Sequence, residues 1–491
     1  MPLAQSARRK EGQRTPTVIR LLVLATFVVI LNETIMINAI PRLMTDLDIT
    51  ERSAQWVSTV FMLTMAAVIP VTGWFLQRVT TRRAYAIAMG VFLAGTALSA
   101  VAPTFAILLI GRVIQAGGTA VMMPLLMTTL MTVVPERDRG RVMGNVTLAI
   151  SVAPAMGPVL SGLVLQIGSW RWLFVLVLPI AGLVTWLGLR RLENVGEPEA
   201  GAIDWSSVAF AALGFGSLVY GLSRFETGSV TTPALIVAAG IALIGVFVWR
   251  QLRLQRTGTP LLDLRILLSG TYTKSLIFMS IAFLAMLGSM ILLPLYLQNL
   301  RELSPLSTGL LVMPGGMAMG LLGPTIGRLF DRFGGRMLVI PASVGITVSL
   351  AGFTQISMST PYWQLLGLHI LLMASLAAAF TPVFTLGLGA LPQHLYAHGS
   401  SMLGTLQQVA AALGTALVVT VMSTRSGSLI DDGVDATTAH LDGMRLAFGV
   451  SAALAVLIIA VAVLLPNRAD DTEKPPGSEE PEEPELELVK S

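Results

Sequence analysis

The sequence predicts an all-α integral membrane protein: about 14 transmembrane helices, in two six-helix pseudo-symmetric halves with two further helices inserted between them. Three observations carry that reading. The 491 residues are 54% hydrophobic and only 12% charged, against roughly a quarter charged in soluble globular chains. Apolar runs of the roughly 20 residues needed to cross a bilayer follow one another nearly end to end, which leaves no room for a soluble domain. A weak internal repeat sets matching segments about 254 residues apart, the spacing of two six-helix halves.

In chain order the expected spans are 18–40, 54–76, 84–102, 105–133, 142–166, 171–189, 205–224, 232–250, 274–297, 306–329, 337–355, 361–386, 400–424 and 444–465. Residues 1–17 form an N-terminal tail with Arg8, Arg9, Lys10 and Arg14, and the first span is too long for a signal-peptide core, so it is expected to be retained. Residues 18–190 make the first half, 191–273 the linker with the two extra helices, and 274–466 the second half. Residues 467–491, containing PPGSEEPEEPELELVKS, are too acidic and Pro-rich to bury a core and read as a disordered tail. An even number of spans puts both termini on one side. Of the basic residues, about 24 fall on that side and about 7 on the other, so both termini are expected in the cytoplasm of a bacterial inner membrane. Outer loops are short except Arg425 to Met444, with Asp431, Asp432, Asp435 and Asp442.

The composition also excludes function classes. A net charge of +4 resides in short clusters between spans, where membrane orientation accounts for it and nucleic acid is not implied. No cysteine is present, so disulfides, thiolate metal sites and cysteine nucleophiles are absent. No Lys follows a Gly, so a phosphate-binding GK[ST] loop and an intrinsic ATPase are not expected. An embedded enzyme needs clustered acids, His or a nucleophile with its base. Intramembrane charge here reduces to Glu33, Arg112 and His369, so no enzyme, cofactor or metal is expected.

Glu33 lies inside the first apolar run, in LNETIMINAIP. A carboxylate there is costly to bury, so it is neutral for part of its cycle, paired, or facing a water-filled cavity. Arg112 lies in the fourth span, in LLIGRVIQAGGTA, with Gln115, Gly117 and Gly118. It must find carbonyls, water or a carboxylate, because a guanidinium does not readily lose its proton. Counting back from Pro41 and from the start of the fourth span sets both charges roughly 11 Å below the outer surface, where they can act on each other.

Three further motifs concern movement. The loop after the second span reads GWFLQRVTTRR, with Gly73, Arg78, Arg82 and Arg83; its counterpart after the tenth reads GRLFDRFGGR, with Gly327, Asp331, Arg332, Gly334 and Arg336. A Gly lets helices approach closely, and an acid at a helix end can latch one conformation. The fifth span contains SVAPAMGPVLSG, in which Pro154, Gly157, Pro158 and Gly162 free backbone groups and permit bending and close packing. The sixth begins Trp170-Arg171-Trp172, followed by Phe174 and Pro179.

Together, over residues 18 to 465, these motifs resemble the major facilitator superfamily, and within it the 14-helix drug:proton antiporters that include multidrug, lincosamide and quaternary-ammonium exporters. The loop motifs resemble the family's G-x-x-x-D-R-x-G-R-R/K. Gln77 stands at its acid position, which leaves a first-half charge latch without its carboxylate. The fifth-span motif resembles the one found in exporters of this superfamily, and it implies the export direction. Val177 departs from an Asn usual before the sixth-span proline.

The resemblance and the residues together lead to an expected function. It is a proton-coupled antiporter exporting amphipathic, cationic or weakly basic drugs by alternating access, monomeric, with protons, a small-molecule substrate and the lipid bilayer as its partners. Glu33 and Arg112 are the expected coupling pair: a carboxyl that takes a proton from outside and loses it when an organic cation enters suffices for exchange. Asn32, Asn38, Gln115, Gln298, Gln407, Gln408 and His369 are the candidate cavity residues. His369 reads first as a packed, hydrogen-bonded histidine and second as a proton relay, and the 24 methionines read first as ordinary membrane packing and second as an adaptable apolar pocket. A dedicated exporter of one metabolite or lipid, or a proton-coupled importer, remains the alternative.

Overall fold

The computed structural model describes residues 16–36, 39–195, 203–224, 231–256 and 260–468. Within them, 14 helices are long and apolar enough to cross a membrane. They are α1 Thr17–Ile35, α2 Trp56–Arg78, α3 Thr81–Ala100, α4 Phe105–Val133, α5 Glu136–Ile167, α6 Arg171–Arg191, α7 Trp205–Ser223 and α8 Thr231–Leu254, then α9 Gly270–Leu295, α10 Pro305–Phe333, α11 Arg336–Phe353, α12 Tyr362–Gly389, α13 Tyr396–Asp431 and α14 Ala436–Leu464. Side-chain oxygens that accept from backbone N–H groups start several of them: Thr80 from Arg83, Thr104 from Ile107, Ser304 from Ser307 and Asp435 from Thr438. Each satisfies a donor that the first helical turn leaves free. Between α10 and α11 the chain reverses through Gly334 at φ 82°, a left-handed conformation suited to a residue without Cβ.

Three boundaries differ from the sequence reading. The first span stops at Ile35, and Pro41 sits in the first turn of a new helix, Ile40–Leu47. Proline is tolerated there, since its missing N–H has no intrahelical partner to lose. Counting back from Pro41 therefore does not give the depth of Glu33. Pro294 does not end its span either: α9 carries it internally and continues as a π-helical turn, Tyr296–Leu300. The long outer loop Arg425 to Met444 is mostly helix, because α13 runs to Asp431 and α14 begins at Ala436, with Arg425 paired to Asp442 at 3.0 Å.

Helices α1–α6 and α9–α14 pack as two bundles that meet along α5–α10 and α2–α13. The inserted α7 and α8 pack on each other, and α7 lies against both α2 and α13. The insert is fastened at its polar end, which is the end where α1 begins and α14 ends. Arg250 makes a two-pronged ion pair with Asp204 (2.7 and 2.9 Å), and Gln251 donates to Ser207 while accepting from the backbone N–H groups of Leu261 and Leu262.

Candidate functional site: a central cavity and its closed end

A cavity of about 460 Å³ lies between the two bundles, lined by α1, α2, α4 and α5 from one and α9, α10, α12 and α13 from the other. Its walls are apolar and dominated by methionine, including Met62, Met122, Met123, Met286, Met313 and Met319. Unbranched thioether side chains repack around differently shaped guests. Phe283 and Phe380 stack across α9 and α12 with ring centroids 4.9 Å apart. The polar groups are few: Thr26, Thr119, Thr147, Ser151, His369, Gln407, Gln408 and Glu33. Among the described lining residues Glu33 is the one carboxylate, and neither Lys nor Arg joins it.

Glu33 is held there by the packing of α1 on α5. The Thr34 hydroxyl donates to the Leu31 carbonyl at 3.0 Å and reaches the Ala153 carbonyl of α5 at 3.5 Å, while a Cβ at Gly157 would overlap Thr34. Pro154, one turn earlier, faces the cavity. Gly162 meets no neighbour that a Cβ would crowd, so the tight approach is confined to Gly157. Of Pro158 the structure describes only its place in the helix.

Arg112 is 1% exposed and stands behind the cavity wall. Its Nε donates to the Val57 carbonyl (3.3 Å), its Nη1 to Gln115 (2.7 Å), and its guanidinium stacks 4.1 Å from the Phe61 ring centroid. Gln115 in turn donates to Thr96. Arg112 and Glu33 attract each other electrostatically but form no ion pair within 4.0 Å. The guanidinium is a fixed positive charge held by α2 and α4 beside a carboxyl that faces the cavity.

The other candidate cavity residues divide. His369, Gln407 and Gln408 line the cavity. His369 is buried and hydrogen-bonded to the Val312 backbone, and a Cβ at Gly315 would overlap its ring. Gln115 is the buried partner of Arg112, Asn32 is fully buried behind α1 with no hydrogen-bond partner, and Gln298 is exposed on the π-helical turn. Asn38 lies outside the described residues.

Below the cavity, at the basic end, the two bundles are shut. Along α5–α10, Gly140 and Gly144 face Gly327 and Gly323 so closely that a Cβ on any of the four would run into the opposite backbone or Asp331. The Asp331 carboxylate, in α10, accepts from the backbone N–H groups of Gly140 (2.8 Å) and Arg141 (2.7 Å) in the first turns of α5. That contact joins a helix N-terminus, with its positive partial charge, to an acid of the other bundle. Along α2–α13, Gly73 touches His398, Gln77 donates to the His394 carbonyl at 2.9 Å, and Ser401 donates to the Ile69 carbonyl at 2.6 Å. Thr128 and Ser400 are hydrogen-bonded at 2.8 Å between α4 and α13.

Arg82 and Arg83 are exposed, Arg332 lies over its neighbour Phe333, and Arg336 donates to the Val463 carbonyl within its own bundle. Arg78 donates to Gln77 and stacks on Trp74. Gly140, Gly144 and Gly323 were not singled out from the sequence. The signal was present as two pairs of glycines four apart, a spacing that puts both on one helix face.

The family profile described as Major Facilitator Superfamily matches residues 22–415. The chain belongs to the major facilitator superfamily. Its curated relatives include an uncharacterized MFS-type transporter, YcnB, of Bacillus subtilis, 36% identical over 94% of this chain and 97% of that protein. The lincomycin resistance protein LmrB of Listeria monocytogenes is 39% identical over 86% of this chain and 89% of its own length. The multidrug export protein EmrB of Haemophilus influenzae is 29% identical over 81% and 78%. Among solved structures, the human organic anion transporter MFSD10 superposes with a TM-score of 0.63 at 15% identity, covering 91% of this chain and 100% of that one. At that identity the likeness concerns the fold. This superfamily member is thus a multi-pass transporter with resistance and export proteins among its relatives.

Proposed function

We propose that this chain is a proton-coupled antiporter that exports amphipathic, cationic or weakly basic compounds from the cytoplasm across the bacterial inner membrane. The observation that carries the reading is the cavity itself: an apolar, methionine-rich chamber between two bundles in which Glu33 is the one acid among the described lining residues. A cationic guest gains from a carboxylate in such a chamber and a neutral acid does not repel an apolar one, so proton and substrate compete for the same group. Arg112 biases that competition from behind the wall. The basic end, closed by Asp331 and the glycine seam, is the cytoplasmic gate, and the cavity in this arrangement serves the outer side. The names of the relatives, LmrB and EmrB among them, support export over uptake.

The test uses inside-out membrane vesicles with an imposed proton gradient and a panel of quaternary ammonium, macrolide, lincosamide and fluoroquinolone compounds. Substrate-evoked proton movement is expected in the wild type and absent in Glu33→Gln. Undiminished movement in the variant would show that Glu33 is not the coupling group.

A further inference from the structure

The two seams at the basic end are related by the internal repeat but differently equipped. The α5–α10 seam has Asp331 on a helix N-terminus. The α2–α13 seam has Gln77 at the matching position, bonded only to a carbonyl of the other bundle and to Arg78. Beside that seam lies a carboxylate from elsewhere. After α8 the chain folds back, with Leu261, Leu262 and Leu264 packed into one apolar cluster with Val71 and Trp74 of α2 and with Met402 and Val409 of α13. Asp263, in the middle of this segment, is 3% exposed. It accepts from Gln255 (3.0 Å) and from Arg265, whose Nη2 approaches to 2.6 Å.

Asp263 lies within electrostatic reach of the first turn of α13. Its charge acts on His398, a buried histidine whose Nδ1 has no hydrogen-bond partner and which leaves no room for a Cβ at Gly73 of α2. Arg78, His394 and Arg265 are the other charged or titratable groups acting on this ring. Burial works against ionisation of Asp263, yet the hydrogen bonds from Arg265 hold its carboxyl below the usual carboxylate range, so it carries its charge at neutral pH.

We propose that Asp263, brought in by the inserted helix pair, supplies the α2–α13 seam with the negative charge that Gln77 lacks and so latches the basic end shut. Asp263 is a positioning residue: it acts through His398 and the start of α13 and touches no substrate. The insert thereby has a mechanical task, because Gln251 and the Asp204–Arg250 pair anchor the segment to α7 and α8 while the leucines around Asp263 seat it against α2 and α13. The inference rests on the alternating-access reading, but its test needs no substrate.

The chain has no cysteine, so Arg191→Cys and Met337→Cys place a unique spin-label pair at exposed basic-end positions of opposite bundles. The distance distribution in nanodiscs reports the ratio of basic-end-open to closed molecules. Asp263→Asn is expected to raise that ratio about three- to fivefold, and Gln77→Asp in the same chain is expected to return it to the wild-type value. An unchanged ratio in Asp263→Asn overturns the proposal. So does a raised ratio that Gln77→Asp does not correct, because Asp263 would then only hold its own segment in place. If Asp263→Asn does not fold, Gln77→Asp alone is expected to lower the ratio, and no decrease overturns the proposal. Loss of export in vesicles with these distances as expected would count against the transport reading and leave the latch standing.

Discussion

Replacing Asp331 by Asn removes one charge at the seam between the bundles with almost no change in shape. In the closed arrangement the carboxylate accepts two backbone N–H groups, at 2.8 and 2.7 Å, from the first turns of α5. Hydrogen bonds to a charged group are worth about 1.5–3 kcal/mol each, and a negative charge at a helix N-terminus adds about 0.3–1 kcal/mol. An Asn can still accept one of the two bonds but turns its NH₂ toward the other N–H. The net loss is about 2 kcal/mol, all of it on the closed state, since Gly140 and Arg141 belong to the opposite bundle and are solvated once the seam parts. That corresponds to about a 30-fold rise in the open-to-closed ratio, read from the spin-label pair at 191 and 337. Gly327→Ala, whose Cβ would overlap the Gly140 carbonyl, is expected to move the ratio the same way. A ratio within twofold of wild type in Asp331→Asn would refute the assignment of this contact as a gate.

Two further outcomes follow from the packing. Gly157→Ala sets a methyl against Thr34, so it is expected to cost about 1–3 kcal/mol and to slow transport, seen as a lower melting temperature in detergent together with reduced export. Asp204 is held down to about 2 by the hydrogen bond from Arg250. Because its folded value is depressed, the stability it adds is present above the ordinary carboxylate value of 3.8 and lost as pH falls through about 2. Asp204→Asn is therefore expected to lower the melting temperature at pH 7, with the gap to wild type closing in acid.

The sequence by itself determined the membrane fold, the helix count and the two halves, and it singled out Glu33 and Arg112 as charges inside spans. Those are written in composition, in run length and in single charges that apolar surroundings make conspicuous. Helix ends near Pro41 and after Arg425 were not legible, because a proline reads alike as a stop or as the first turn of a new helix, and because Asp435 can cap a helix as readily as it can solvate a loop. Which side chains enter the cavity was decided only by tertiary structure. Asn32 and Glu33 are adjacent in sequence, yet about 100° of helical rotation per residue turns one into the bundle and the other into the chamber. Arg112 settled on Gln115 of its own helix and on Val57 and Phe61, which only the packing of α2 against α4 brings to it. Asp263 shows the same limit most plainly: 186 positions separate it from Gln77 in the chain, and only the folding of the insert against α2 and α13 brings its charge to the seam where Gln77 has none.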